Sequence, residues 1–274
     1  MIFKDIYPSK PLQEFVKLYR LRHFIIPSGI KIYPKSYPAL PEQCFIFYPR
    51  GAEKVEVPGA APFIRSRAVI TGQYTQRIER SNKGNEVIIV VVVFHPGILF
   101  RLTGIPSVEI NNKTIELEAV FPKDARVVNE LLSSASGYEE IIMIIENFLL
   151  DISRRIKVEA RLCDKIFGIM AESQNFSIDQ LSGKTCLSAR QFERKSLQYV
   201  GVSPKFFSRI ARFNQTYQMR LKFPHLDWLS IAMACGYYDY QHLVKDYGAF
   251  ANDTPNLFFQ DEYKSLERLL KINV

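Results

Sequence analysis

One stretch of this chain is written twice, and that repeat constrains the fold more than any other feature. Phe192–Phe207 (FERKSLQYVGVSPKFF) aligns with Leu243–Phe258 (LVKDYGAFANDTPNLF) at an offset of 51 residues. Buried-type positions pair: Phe192 with Leu243, Tyr199 with Phe250, Val200 with Ala251, Phe207 with Phe258. The breaks pair as well, Gly201-Val-Ser-Pro204 with Asn252-Asp-Thr-Pro255. Gly and Asn are the residues that most easily take a left-handed helix end. Ser203-Pro204 and Thr254-Pro255 each place an N-cap before a proline at the first helical position. Each copy therefore predicts a helix, a capped break and a new helix.

A further short helix precedes each copy. In the first, Ser177 caps Ile178–Lys184 and Gln180 completes a capping box. In the second, Trp228, Ile231 and Ala232 occupy the matching places, the offset now being 50. Turns follow at Thr185-Cys186-Leu187 and at Cys235-Gly236-Tyr237. The next helices start at Ser188, with Gln191 three residues on, and at Asp239. Helix, short turn and helix, repeated, is a tandem helix-turn-helix.

The second helix of each unit can be phased. Ala189, Phe192, Ser196 and Tyr199 share one face, as do Tyr240, Leu243, Tyr247 and Phe250, and these faces are expected to be core. Opposite them lie Arg190, Gln191, Arg194 and Lys195 in the first unit, and Gln241, His242 and Lys245 in the second. Arg190 and Arg194 are four apart and so share a side of the helix. Arginine can grip guanine bidentately, and glutamine adenine. A solvated charged face is the competing reading for one such helix; the tandem arrangement favours DNA contact.

These residues resemble the AraC/XylS family of bacterial transcription regulators. The resemblance rests on Leu187-Ser-Ala-Arg-Gln-Phe-Glu-Arg194, Gly201-Val-Ser-Pro204, Ile231-Ala-Met-Ala-Cys-Gly-Tyr-Tyr-Asp239 and Gln241-His242-Leu243, and covers about Val158 to Gln260. It implies a DNA-binding domain with two helix-turn-helix units joined by a long helix, here Pro204–Lys222. It places base contacts on Arg190, Glu193 and Arg194, and on Gln241, His242 and Lys245. It implies RNA polymerase as a partner. The sequence departs from the pattern at Cys186, where Gly is usual, at Ser196, where Phe is usual in the core, and at Asn252, where Gly is usual. The N-terminal half resembles effector domains of such regulators through Phe94-His-Pro-Gly97 and Leu102-Thr-Gly-Ile-Pro106; the ligand does not follow from that.

Residues 1 to about 122 read as mostly β. Glu42–Tyr48, Arg67–Ile70 and Glu86–Phe94 are rich in β-branched and aromatic residues. The run Val87–Phe94 does not alternate, as expected of a strand covered on both faces. Dense punctuation, including Pro49-Arg50-Gly51, Pro58-Gly59, Gly84 and Pro96-Gly97, predicts turns between short strands. Leu12–Leu18 (LQEFVKL) reads as one helix. From about Lys123 the period becomes helical, over Asp124–Leu132 and Tyr138–Ile152. The second of these is apolar on more than one face and must be buried either in its own core or against a partner chain. Ser153–Lys157 reads as a link.

The fold class expected is thus α+β: a small mainly-β barrel or sandwich with trailing helices, then an all-α half with two helix-turn-helix units. The expected division is residues 1–122 as a sensor or effector-type domain, 123–157 as a helical dimerisation or linker segment, and 158–274 as the DNA-binding domain. Its units fall at about 176–199 and 228–250, with the linking helix at 204–222.

Composition then narrows the chemistry. The 274 residues carry a net charge of +8. That charge is local. Lys184–Lys222 holds nine basic residues against Glu193 alone, whereas Phe223–Val274 sums to −3, with Asp227, Asp239 and Asp246 in or beside the second unit. Most phosphate attraction is therefore expected from the first unit and linking helix, with Lys184, Ser188, Lys195, Lys205 and Arg209 as phosphate contacts.

The longest apolar run, Val87–Phe94, is far short of the ~18 residues of a membrane span. The start MIFKDIYPSK has no apolar signal core, so no membrane partner and a cytoplasmic location are expected. Cys44, Cys163, Cys186 and Cys235 are scattered, a poor disulfide or zinc pattern. His23 and His95 are far apart, so neither metal nor cofactor is expected. Arg65, Arg67 and Arg77 are candidates to line an anion pocket, against the blander reading of solvated strand faces.

No catalytic signature stands out, and a non-enzyme is expected. A cysteine methyl-acceptor repair activity would need an activated thiol, and Cys44 sits alone in an apolar strand. The reading is a sequence-specific regulator of double-stranded DNA, modulated by a small-molecule effector or by homodimerisation through the N-terminal half. The alternative is a ligand-binding or interaction module whose DNA-binding domain has weakened, a reading supported by the second unit's acidity.

Overall fold

The non-alternating run Val87–Phe94 lies at the middle of the sheet, where both faces of a strand are covered. It is the second half of β7 (Ile78–Phe94), which pairs antiparallel with β2 (Val16–Ile25) on one side and β4 (Cys44–Glu56) on the other. Val90 sits between Leu21 and Phe47. Ile88, Val90, Val92 and Phe94 face one apolar cluster; Val87, Ile89, Val91 and Val93 face a second.

The structure is a computed structural model that describes residues 2–27, 33–156, 158, 162–172, 185 and 187–262. Its strands are completed by β1 (Ile2–Ile6), β3 (Lys35–Tyr37), β5 (Phe63–Ile64), β6 (Ala68–Thr71) and β8 (Thr114–Glu116). They form one sheet in the order β1-β2-β7-β4-β6-β8, with β3 on β7 and β5 on β4. The expected small barrel or sandwich is thus a single antiparallel sheet whose long strands each serve several neighbours.

The helix expected over Leu12–Leu18 is not formed. Lys10–Leu12 makes a single 3-10 turn, and the chain is extended from Val16. Seven residues are too few to hold a helix without tertiary help, and beyond an irregularity between Val16 and Leu18 the strand takes a two-residue period, with Tyr19, Leu21 and His23 buried.

Helices cover the first face. After α1 (Ile98–Thr103), α2 (Ser107–Ile110) and α3 (Leu117–Val120) come α4 (Pro122–Ser134) and α5 (Tyr138–Ser153). Of the two expected burials for α5, the structure shows its own core: Ile141, Ile144, Ile145, Phe148, Leu149 and Ile152 pack with the sheet. Phe148 meets Phe47 at 6.0 Å and Phe121 at 6.1 Å, both edge to face.

The C-terminal half continues with α6 (Leu162–Glu172), α7 (Ala189–Tyr199), α8 (Pro204–Lys222), α9 (Trp228–Ala234), α10 (Tyr240–Ala251) and α11 (Pro255–Glu262). The helix expected over Ile178–Lys184, with Ser177, Gln180, Lys184 and Cys186, lies outside the described residues. The eight residues paired by the repeat (Phe192, Tyr199, Val200, Phe207 and Leu243, Phe250, Ala251, Phe258) are all buried. The breaks take the left-handed conformation, at φ 88° for Gly201 and 52° for Asn252. Ser196, in place of a core Phe, turns its hydroxyl to the Val202 carbonyl at 2.6 Å and so closes the break with a buried hydrogen bond. Ala189 departs from the expected core face: at the first position of α7 it is exposed.

Candidate DNA-reading surface and interior cavity

Each recognition helix is fixed at its start by a side-chain cap. Ser188 Oγ accepts from the Gln191 N–H, and the Ser188 N–H donates to Gln191 Oε1 at 2.9 Å. Asp239 accepts from the His242 N–H at 2.8 Å and pairs with the His242 ring at 2.9 Å. Such caps satisfy N–H groups that have no intrahelical partner.

The structure leaves Arg190, Gln191, Glu193 and Arg194 exposed on α7, and Gln241, His242 and Lys245 exposed on α10. Gln191 keeps both its amide donors for another partner, while its oxygen serves the cap. Lys205 is exposed at the start of α8. Lys195 is half-buried and donates to Gln198 at 2.9 Å. Lys184 is outside the described residues.

Arg209 is engaged by a residue of the second unit. Its Nη2 lies 2.6 Å from Asp246 Oδ1, Arg212 approaches the other oxygen at 3.5 Å, and the Tyr237 hydroxyl donates to that oxygen at 2.9 Å. Asp246 is buried and ties α10 to α8. The second unit's acids therefore have folding roles: Asp227 caps α9 by accepting from the Ser230 N–H, Asp239 caps α10, and Asp246 holds two arginines.

A second site is a cavity partly open to solvent. It has a volume of about 510 Å³ and separates the sheet from the end of α8, where Tyr217, Leu221 and Lys222 face it. Its apolar wall includes Phe24, Ile46, Ile89 and Val91. Its charges come from strands, from the segments before β4 and after β5, and from α11. Arg20 pairs with Glu42 at 2.5 Å, and Lys35 with Glu262 at 3.0 Å. Glu53 accepts from the Tyr48 hydroxyl at 2.6 Å and from Arg65 at 3.1 Å, with Arg80 3.6 Å away. The Arg80 guanidinium also lies 3.4 Å from the centre of the Tyr37 ring.

Burial alone would raise the Glu53 pKa. The Arg80 and Arg65 charges and the hydrogen bonds from Tyr48 and Arg65 outweigh that and hold it below the ordinary value. One carboxylate thus faces two buried guanidiniums, leaving an excess positive charge at the cavity wall. The Nε atoms of Arg65 and Arg80 have no hydrogen-bond partner among the described residues.

Of the three arginines flagged from sequence, Arg65 lines this cavity. Arg67 is exposed, and Arg77 pairs with Glu79 at 3.0 Å. Arg20, Glu42, Glu53 and Arg80 were not singled out. The signal for Arg20 and Arg22 was their alternation with Tyr19, Leu21 and His23, which places them on the face opposite the helices.

Cys44 is buried beside the cavity, and burial together with Glu42 pushes its thiol up to about 12. That is the reverse of the activation a methyl-accepting cysteine requires. Among the described residues no helix is long and apolar enough to cross a membrane, and no cluster of His, Cys, Asp and Glu could hold a metal.

The chain has the fold of ToxT from Vibrio cholerae. It matches an apo variant of ToxT from Vibrio cholerae strain SCE256 at a TM-score of 0.50 and 13% identity, over 88% of this chain and 97% of that one. It matches Vibrio cholerae O395 ToxT bound to (E)-4-(8-methylnaphthalen-1-yl)but-3-enoic acid at 0.50 and 10% identity, over 89% and 99%. At such identities the likeness shows the fold. Residues 4–116 match a family described as a domain of unknown function (DUF6597). The comparison with curated proteins gave no match.

Proposed function

We propose that this protein is a sequence-specific DNA-binding transcription regulator whose α7 and α10 enter successive major-groove segments, and that a small-molecule signal binds in its cavity. The observation that carries the DNA reading is the pair of exposed faces, Arg190 with Arg194 and Gln241 with Lys245, on two capped helices, one preceding α8 and one packed against its first half. Arg190, Glu193, Arg194, Gln241, His242 and Lys245 are the base-contacting set, with Gln191 contributing its amide donors. Ser188, Lys195 and Lys205 are the phosphate set, and Arg209, held by Asp246, is left out of it. The weakened-domain alternative loses its support, because the acids that motivated it are caps and an internal ion pair. Val127 and Leu131, exposed and four residues apart on α4, are an apolar pair available to a second copy. RNA polymerase is the partner implied by the resemblance.

Selection of bound sequences from random DNA tests this reading. Two elements about one helical turn apart should emerge. On the selected site, Arg194→Ala should cost about 1–3 kcal/mol and relax one position, while Lys205→Ala weakens all sequences alike and lowers the salt slope by about 1. Absence of salt-sensitive binding to any DNA would refute the proposal. A larger loss from Lys245→Ala than from Arg194→Ala would refute the dominance of the first unit.

The cavity's excess positive charge within apolar walls favours an anion with an apolar body, the chemistry of the acid bound by the ToxT structure above. Isothermal titration should show oleate binding at least 10-fold tighter than oleyl alcohol. Arg80→Met should remove most of that difference; equal binding of acid and alcohol by the unmodified chain would overturn the ligand class.

A further inference from the structure

Residues 38–44 run from the end of β3 into the first residue of β4 and reach the cavity, α10 directly and α7 through Ser107. Pro38, Leu40, Glu42 and Cys44 line the cavity. Ala39 and Gln43, between them, do not. The Ala39 N–H donates to the Phe250 carbonyl at 2.9 Å, in the last turn of α10. Gln43 Nε2 donates to Ser107 Oγ at 2.8 Å, and the Ser107 hydroxyl donates to the carbonyl of Tyr199, the last residue of α7, at 2.7 Å. Ala39, Gln43, Ser107 and Tyr199 are all buried.

The last carbonyls of a helix have no intrahelical partner. Here one such carbonyl on α7 is satisfied by Ser107, which Gln43 holds, and one on α10 is satisfied directly by Ala39. Asn111 reinforces the first contact by donating to the Gly201 carbonyl just past α7. These bonds are short and buried, so a displacement of under about 1 Å carries them beyond hydrogen-bonding distance. Separating a buried donor from its acceptor leaves both unsatisfied.

We propose that residues 38–44 form a strap that couples occupancy of the cavity to the placement of both DNA-reading helices, some of its residues facing the ligand and others bonding α10 directly and α7 through Ser107. The inference rests on the cavity being the effector site. Two recognition helices bind together only if their separation matches successive major grooves. A strap that holds α10 directly and α7 through Ser107 sets that separation.

The test uses the full chain and hydrogen exchange at the last turns of α7 and α10. Val91→Trp fills the cavity from a strand wall that does not touch the strap's helix contacts, and Val91→Phe is the smaller version should the first not fold. Either is expected to change protection at least 5-fold in residues 196–201 and 247–252. Adding Gln43→Met should abolish the change at α7 and leave it at α10. No change at either helix, or an α7 response that survives Gln43→Met, overturns the strap. A parallel titration with oleate separates the two ideas. If oleate fails to bind but the filled cavity moves both helix ends, the strap stands and the ligand class falls. If oleate binds and neither helix end responds, the ligand class stands and the strap falls.

Discussion

Glu53→Gln is expected to destabilise the sheet by about 3–4 kcal/mol at neutral pH and to make an anionic ligand stabilise the protein more than it stabilises the unmodified chain. The side chain keeps its shape, so packing changes little. What is lost is the negative charge between Arg65 and Arg80, both within 4 Å of it. Removing one partner of a buried ion cluster leaves uncompensated charge in a poor solvent, which typically costs about 3–5 kcal/mol. An anion entering the cavity restores the balance. A ligand at one hundred times its dissociation constant adds about 2.7 kcal/mol, and the variant should bind oleate more tightly, so its denaturation midpoint should rise further on saturation.

The pH dependence provides an internal control. The folded Glu53 carboxyl titrates below its ordinary value of 4.5. Its contribution is therefore complete above about pH 4.5 and is lost as pH falls through the folded value. The gap between the two proteins in urea midpoint should persist from pH 7 to pH 5 and narrow only in more acidic solution. An oleate shift no larger in the variant, or a gap that ignores pH, would contradict this account of the cavity.

The legible and illegible parts of this fold differ in how local their signals are. Ser188 with Gln191, Ser203, Asp239 and Asn252 act within a few residues of themselves, so spacing alone located the helix ends they cap. Ala189 was misplaced because phase says least in a helix's first turn, where the chain has not yet reached the core. In the sheet, Pro49-Arg50-Gly51 and Gly84 read as turns between strands. They instead lie within β4 and β7, where Gly51 (φ 69°) marks a shift in register and the strand runs on. Glycine in a strand signals a bulge as readily as an end, and only the pairing partner decides between them. The cavity and the strap were beyond reach for a related reason. Gln43 meets Ser107 across 64 residues, and Ser107 meets Tyr199 across 92, contacts that no local period encodes.

Asp246→Asn sets charge counting against geometry. It raises the net charge of the DNA-binding half by one, so simple electrostatics predicts tighter DNA binding. The structure predicts looser specific binding. Asp246 is buried where it holds Arg209 at 2.6 Å and Arg212 at 3.5 Å and accepts from Tyr237, joining the second recognition helix to α8. Both arginines are about a third exposed, so water offsets part of the loss. The expected destabilisation is about 2–3 kcal/mol rather than the full value for a sealed pair. Released from Asp246, the two guanidiniums become available to phosphates, each adding about 0.9 to the slope of log affinity against log salt. Affinity for the selected site should fall about 10-fold at physiological salt while the salt slope steepens, because α10 is no longer held in register. Titration of specific and scrambled duplexes at several salt concentrations gives both quantities. A variant that binds the selected site more tightly with undiminished specificity would show that Asp246 opposes DNA rather than positioning the helix that reads it.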